Sequence, residues 1–517
     1  MSQQNYFSQT GSQNDMFFIV AIAVVSLLIR LPFFFKDVID WDESTFILMG
    51  QSILDGHLPY TELWDLKPPL AFVAYAGFIL ILGKSVISIR IAGTICVILT
   101  ALLVYGSGTT IANHSSAFLA AIATSMGISL LDSGQATMTE HMAIVPLTAA
   151  LALFFCCKTP DLRFTFLISV LLTIAAFVRL NLAYTVVILG CYLVVRQAPK
   201  WRQVLHHGLI YSLGCLLIIF LTYFPYLMTE NSQIWWTSVV IAPLQYSRDD
   251  VTSIESFRRL MTGLVNSSQH QATLGASLVI WMGGFLGIAA AFLPRNRHNS
   301  ASLFQAIALT LMTFSVGLSI LQSGATYQHY LIQMPPCLGL GTAILWQKLS
   351  KPRFFKPLIS VVVLLALLSS LMPILTEYRI VGGRLVAGGP LQTGPSYDIA
   401  AYFRDNQAEN EPIYMMTDHL VYWLIDSQPL TAITTHPSNV SRDDILEIVN
   451  GPGSSPESEL AKVFAAEPKF VVKQRFVSYL LSGKMQNAKD FLNQQLANHY
   501  EKTTQIGNRF IYRRIQP

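Results

Sequence analysis

The sequence predicts an α-helical polytopic membrane protein with a small α/β domain at its C-terminal end. Three observations lead there. Of the 517 residues, 52% are hydrophobic and only 12% charged, roughly half the share of about 25% found in soluble domains. Apolar runs recur through residues 16–375, several of them long enough to cross a hydrocarbon core, which takes about 17 to 25 residues; the mean hydropathy is +0.46. Beyond 375 the runs stop, and short strand-like and helix-like segments alternate with polar loops. A soluble enzyme and a disordered chain are excluded. So is a DNA-binding protein, because 34 Lys+Arg against 30 Asp+Glu leave a net charge of +4.

The first run, 16–35, is broken only by Arg30, read as a side chain that snorkels to the headgroups. It is too long, and its lead too poor in positive charge, for a cleaved signal peptide. Further runs lie at 91–112, 115–131, 141–157, 164–178, 181–195, 208–228, 273–293, 301–321, 331–347 and 358–375. All six cysteines fall inside apolar runs, with no CxxC pair among them, so neither a disulfide framework nor a zinc site is expected.

One more run, 68–82, is long enough either to cross or to lie at the interface. Basic residues decide. Lys158 and Arg163, then Arg196, Lys200 and Arg202, then Arg295 and Arg297, then Lys348, Lys351, Arg353 and Lys356 follow the fourth, sixth, eighth and tenth runs. The segments between are poor in Lys and Arg, with Arg179 alone at 179–180. Lys and Arg accumulate on the cytoplasmic side, and the pattern is consistent only if 68–82 does not cross. The reading is about eleven crossings, N-terminus inside, C-terminus outside. Residues 1–375 form the transmembrane domain and 376–517 an extracytoplasmic one.

In that outer domain, 411–416 and 469–473 read as strands, and 443–450 and 457–466 as helices. Segments 500–505 and 509–514, split by Gly507-Asn508, read as a hairpin. The glycines of 451–456 follow a helix rather than a strand, so they are no phosphate-binding fingerprint.

The first outer loop, 36–90, gathers Asp37, Asp40, Asp42, Glu43, Asp55, Glu62 and Asp65 against Lys36, Lys67, Lys84 and Arg90. A solvated acidic loop is the generic explanation. Two features oppose it. Asp40-Trp41-Asp42-Glu43 sits just beyond the first span, at a depth where carboxylates carry a desolvation cost. Then Gly56-His57-Leu58-Pro59-Tyr60 and Trp64-Asp65-Leu66-Lys67-Pro68-Pro69 turn the chain back to the membrane. Proline suits the first turn of the next helix, which would hold Lys67 near the acids.

An Asp-Glu pair after the first span, a Gly-x-x-Pro-Tyr turn, and Asp-x-Lys-Pro-Pro running into an apolar helix resemble the opening of the GT-C glycosyltransferases. The likeness is greatest to the bacterial branch of the lipid A aminoarabinose transferase and the protein O-mannosyltransferase relatives. It covers about residues 16–350 in pattern and is specific over 40–90. It implies a GT-C fold, with juxtamembrane helices in the first outer loop. The implied reaction is inverting transfer of a sugar from a polyprenyl-phosphate carrier to an acceptor hydroxyl on the outer face. A bacterial inner membrane is the implied location. The implied partners are the lipid-linked donor, a glycan, lipid or protein acceptor, and membrane lipids, with no nucleic acid.

Carried over by residue, the resemblance puts the catalytic Asp on Asp42, with Glu43 beside it and Asp40 as competitor. Lys67 takes the donor phosphate; Asp65 and Tyr60 position the acceptor or the loop. The second acid falls on Glu140, with Asp132 as the alternative, and His329-Tyr330 lie near the lipid phosphate. The chemistry agrees: glycosyl transfer needs a carboxylate base near the acceptor hydroxyl and cations on the phosphate as its charge grows. Arg179, at the outer face, is a second such cation or a snorkelling side chain. Glu140 also suits a helix N-terminus, and Tyr330 an aromatic belt. No metal or other cofactor is expected, a divalent cation on the clustered carboxylates being the alternative. The competing functions are a multispan transporter or lipid flippase, which would carry ionisable groups near the midplane, and a non-catalytic envelope assembly protein.

Overall fold

A computed structural model of the chain describes residues 13–157, 161–246, 252–266, 273–293, 303–322, 327–349, 355–475 and 485–515. Of the basic residues used for orientation, Lys158, Arg295, Arg297, Lys351 and Arg353 lie outside them.

The first helix, α1 (Gln13–Arg30), passes into a 3-10 turn at Leu31–Phe35, where Pro32 cannot donate to a preceding carbonyl. In the outer loop, α2 (Trp41–Leu54) starts at Asp40, whose side chain accepts the Asp42 backbone N–H at 3.0 Å; an N-cap carboxylate satisfies one of the orphan amides of a helix start. Pro68 and Pro69 open α3 (Pro69–Leu82). Its 14 residues reach about 21 Å at 1.5 Å per residue.

Next come α4 (Val86–Thr109), α5 (His114–Ser129), α6 (Thr139–Cys156), α7 (Leu162–Val178), α8 (Ala183–Val195) and α9 (Trp201–Met228). Ser85, Asn113 and Asp161 cap α4, α5 and α7 with side-chain acceptors. Short helical turns fill Ser232–Trp236 and Ala242–Tyr246, followed by Ser253–Asn266, Leu274–Ala290, Leu303–Gln322, a 3-10 segment Gln328–Gln333, and Pro335–Leu349. Among the described residues, five helices are long and apolar enough to cross a membrane, and a sixth candidate is bent by 43° between Val361–Ser369 and Met372–Val386. That last helix runs past the boundary expected at 375.

Helices Leu274–Ala290 and Pro335–Leu349 touch backbone to backbone. A Cβ on Gly287 would stand 1.7 Å from the Gly341 carbonyl oxygen, and one on Gly284 2.6 Å from the Leu338 Cβ. Small residues allow such approach where lipid offers no hydrophobic drive for association.

Two buried arginines depart from the sequence reading. Arg30 does not snorkel: it is 1% exposed and donates to Thr94 Oγ1 at 3.1 Å, to the Gln135 and Ala136 carbonyls at 3.2 and 3.1 Å, and to the Gly134 carbonyl. The non-helical stretch before α6 leaves those carbonyls without helical partners, and a guanidinium carries enough donors for all of them. Arg90 is not a loop charge. Helix α4 begins at Val86 rather than 91, so Arg90 lies inside it, ion-paired with Glu43 and donating to the Asp37 carbonyl at 2.6 Å.

The C-terminal region builds a four-stranded sheet in the order β1-β2-β4-β3, from β1 (Ile413–Met415), β2 (Phe470–Gln474), β3 (Tyr500–Ile506) and β4 (Arg509–Arg514). The β1/β2 pair is parallel and the other two are antiparallel. Side chains alternate across strands, and the alternation divides two cores. Ile413, Met415, Phe470 and Val472 join the apolar cluster that continues into α2–α7, whereas Tyr414, Met416 and Val471 pack with Leu460, Val463 and Leu492. Helices Pro395–Asp405 and Gln486–His499 were not foreseen.

The region docks on the first outer loop. Asp37 N–H donates to the Thr393 carbonyl (3.1 Å), Ser396 N–H to Asp37 Oδ2 (2.9 Å), Trp64 N–H to the Ala432 carbonyl (2.8 Å), Thr45 Oγ1 to the Thr435 carbonyl (2.8 Å) and Thr435 Oγ1 to the Trp64 carbonyl (2.9 Å). Gly394, at φ +140°, must be glycine twice over, since a Cβ there would strike the Asp37 carboxylate.

Candidate active site

Where the docked region meets the outer loop, a cavity of about 670 Å³ opens. Its walls come from the start of α2, the turn before Pro68, Asp132 and Ser133, Tyr246, residues 327–330, and residues 436–445.

Asp42 lies in the first turn of α2. Its Oδ2 faces Lys67 Nζ at 3.3 Å and its Oδ1 faces His436 Nε2 at 3.1 Å. Burial opposes ionisation of Asp42, yet Lys67 and His436 hold its carboxyl well below the usual range. Burial likewise works against the Lys67 ammonium, and Asp42 and Asp65 more than offset it, raising its pKa. The pair is therefore ionised at neutral pH. Asp40 behaves oppositely: burial, then the neighbouring Asp42 charge, pushes its carboxyl up, while Ser133 donates to its Oδ2 at 2.5 Å. Neighbouring carboxylates whose environments drive their pKa values apart are suited to different tasks.

Local structure fixes Lys67. Asp65 Oδ1 accepts the Lys67 N–H at 3.1 Å, and the Tyr60 hydroxyl donates to the Lys67 carbonyl at 2.6 Å. Tyr60 itself sits at φ +71°, a left-handed conformation uncommon for any residue but glycine. Asp65 is held from the other side by Asn439, at 3.4 Å.

A second layer lies behind the wall. Glu140, fully buried in the first turn of α6, pairs with Arg179 at 2.8 Å. Arg179 also donates to Thr139 Oγ1 at 2.9 Å, and its guanidinium stacks 4.0 Å from the Tyr330 ring centre. His329 stands between the layers, 3.8 Å from Asp40 Oδ2 and 3.6 Å from Glu140 Oε1, with Tyr327 stacked on its ring. His141 is structural: its Nδ1 accepts the Met138 N–H at 3.2 Å, so the proton on Nε2 goes to the Gly134 carbonyl at 3.0 Å.

The sequence-predicted residues thus divide by environment. Asp40, Asp42, Asp65, Lys67, His329 and Tyr330 line the cavity, as does Asp132, while Glu43, Tyr60, Glu140 and Arg179 do not. Glu43, adjacent to Asp42 in sequence, points the other way: 2% exposed, paired with Arg90 and accepting the Thr137 N–H at 2.8 Å. Helical geometry turns neighbouring side chains to different faces, so an Asp-Glu pair cannot serve one cavity with both members.

Sequence reading missed His436, Asn439 and Tyr246 on the wall. Tyr246 carries the Arg442 guanidinium 4.1 Å above its ring. The local signal for His436 was a His-Pro pair starting a short helix in a polar stretch, which carries no hint of its long-range partner.

The profile of the dolichyl-phosphate-mannose-protein mannosyltransferase family matches residues 66–241, about a third of the chain. The structure is similar to that of ArnT from Cupriavidus metallidurans bound to undecaprenyl phosphate, at 13% identity over 97% of this chain and 98% of that one, with a TM-score of 0.62. It also matches the apo oligosaccharyltransferase of Archaeoglobus fulgidus, at 12% identity over 97% and 74% of the two chains and a TM-score of 0.46. No curated protein sequence matches the chain. The chain has the fold of the GT-C glycosyltransferases. Among them it resembles the aminoarabinose-transferase and protein-mannosyltransferase branch.

Proposed function

We propose that this protein is a membrane glycosyltransferase that moves a sugar from a polyprenyl-phosphate carrier to an acceptor hydroxyl, inverting the anomeric carbon. The observation that carries the reading is the opposition of Asp42 and Lys67, 3.3 Å apart on the wall of one polar cavity. A base and a phosphate-binding cation are what this transfer requires. An apolar groove of about 960 Å³, lined by α3, α4, α6, α7 and α9, supports it. The segment 57–70 contributes Leu58, Pro59 and Pro69 to the groove and Asp65 and Lys67 to the cavity. A donor with a charged head and a long apolar tail suits two compartments that share a wall.

In the proposed reaction the donor phosphate draws Lys67 from Asp42, freeing Oδ2. Asp42 takes the acceptor hydroxyl's proton, the acceptor oxygen bonds to the anomeric carbon from the face opposite the phosphate, and the carbon–oxygen bond to phosphate breaks with its electron pair. Lys67 meets the growing charge, His329 and Tyr330 line the phosphate side, and the Arg179 guanidinium backs them from behind the Tyr330 ring. Glu140 holds Arg179 in place, Tyr60 and Asp65 shape the Lys67 turn, and Asp40 flanks the base. Lys67 supplies the cation, so no metal enters the scheme. The cavity faces the outside of a bacterial inner membrane, with the N-terminus cytoplasmic, 1–375 as the transmembrane domain and 376–517 as an extracytoplasmic one.

The test is turnover of undecaprenyl-phosphate-linked hexoses, pentoses and aminoarabinose by the purified protein, with release of undecaprenyl phosphate as readout. Wild type should cleave at least one of them, and Asp42→Asn should lower that rate by about 10²–10⁴, the usual contribution of a general base. Near-normal turnover by folded Asp42→Asn would falsify the assignment and move the base to Asp40. A transporter would release no undecaprenyl phosphate at all.

A further inference from the structure

His436 belongs to the C-terminal region, far outside the 66–241 segment that matches the mannosyltransferase family, yet its ring touches the residue assigned as base. We infer that His436 is a positioning residue, whose Nε2–H fixes the Asp42 carboxylate while Lys67 is away on the donor phosphate. The inference rests on the reading of Asp42 as the base.

The tautomer follows from the neighbours. The backbone N–H of Ser438 points at His436 Nδ1, 3.1 Å away, and the Ser438 hydroxyl lies 2.6 Å from the same atom. A backbone amide can only donate, so Nδ1 is bare, and a neutral imidazole then carries its proton on Nε2. That N–H points at Asp42 Oδ1, 3.1 Å away. Pro437 at the first position of the short helix Pro437–Val440 fixes the backbone beside the ring. Thr435, one residue earlier, is tied to Trp64 and Thr45. The ring is thus held from two sides before it reaches Asp42.

The division of the carboxylate matters. Oδ1 is taken by a neutral donor and Oδ2 by the cation. Once Lys67 turns to phosphate, Oδ2 is the open oxygen, and only Oδ1 anchors the side chain through a contact that does not leave with the substrate. His436 does not receive the proton, since Nε2 already bears one; it keeps Oδ2 aimed at the acceptor. A base held in the productive orientation spares the entropy of finding it.

Two near-isosteric changes separate this role from a structural one. His436→Asn puts an amide where Nδ1 stands, so it keeps an acceptor for the Ser438 N–H but falls short of Asp42. His436→Gln reaches Asp42 with an N–H donor and gives up the cap. Both are measured with Asp42→Asn, as folded monodisperse protein, on the undecaprenyl-phosphate sugar that the wild type turns over fastest. Positioning predicts that Asn lowers kcat by about 10- to 100-fold, the worth of a hydrogen bond to a charged group, with the donor KM changed less than about 3-fold. Gln should stay within about 3-fold of wild type. The reverse order, with Asn active and Gln impaired, makes His436 only a cap and overturns the inference. So do two variants that both match wild type while Asp42→Asn is inactive; the base assignment then survives alone. If Asp42→Asn is itself fully active, the reading of the base has failed, and the inference falls with it.

Discussion

Glu43→Gln puts the burial of the acidic pair to a quantitative test. Glu43 and Arg90 form an ion pair in which the side chains are 2% and 1% exposed. The substitution leaves the Arg90 guanidinium charged, buried and facing an amide. Removing one partner of a buried pair costs about 3–5 kcal/mol, mostly the uncompensated charge left behind. Gln can still accept from Arg90 and from the Thr137 N–H, so the loss belongs at the lower end, about 3 kcal/mol. The double variant Glu43→Gln, Arg90→Met removes the stranded charge and should recover part of that loss. The assay is thermal unfolding in detergent alongside turnover per folded molecule. Glu43→Gln should unfold several degrees lower yet turn over within about 3-fold of wild type, because an anchor takes no part in proton transfer. Unchanged thermal stability with a collapse of turnover like that of Asp42→Asn would refute the reasoning and return Glu43 to the chemistry.

Lys67→Met should weaken donor binding as well as turnover, since its charge meets phosphate in both the ground and the transition state; a solvated loop lysine would change either by less than about 1 kcal/mol, read from KM and kcat on the same donor. His419, buried in the C-terminal region, has its pKa lowered to about 3, chiefly by burial. The unfolded ring titrates near 6.5, so this contribution to stability is full above that pH and falls as pH drops, by up to about 1.4 kcal/mol per unit. Unfolding at pH 5 against pH 7 should show about 2 kcal/mol of it, absent from His419→Gln; an identical slope in that variant removes His419 as the cause. Turnover should be unchanged by EDTA, and a loss restored by added Mg²⁺ or Mn²⁺ would put a cation on the carboxylates. If α3 does not cross the bilayer, a cysteine placed at Ser85 should react with an impermeant thiol reagent from outside the cell, whereas labelling only from the cytoplasm inverts the topology.

The parts of this molecule legible in the sequence are those set by local rules. A chain with half the usual charge must hide its surface in lipid, and the structure has the helices for it. The hairpin at Tyr500–Ile506 and Arg509–Arg514 and the helix Asp443–Asn450 follow from turn residues and apolar spacing. The approach of Lys67 to Asp42 was legible too, because two prolines and a tyrosine turn fold the loop on itself. What escaped depends on the tertiary arrangement. Arg30 looks like any arginine near the end of a span until the carbonyls of residues 134–136 come to meet it. Arg90 looked like a loop charge because hydropathy places the start of the span at 91, although Ser85 caps the helix earlier. His436 reaches Asp42 only after a sheet has formed and docked through Trp64 and Thr45, and no spacing in a linear sequence carries that information.

The docking hydrogen bonds have a consequence for the order of events in the cell. Lys67 and Asp42 leave the ribosome early, but the wall that faces them, from His436 to Ile445, is made roughly 380 residues later, on the order of 20–75 s at the usual pace of synthesis. During that interval the carboxylate and the ammonium face an incomplete chamber. Chains abandoned by the ribosome before Thr435 would lack the side chain that ties the far wall to Trp64. The far wall of the cavity therefore forms only after the chain has been made past Ile445 and its strands have paired and docked.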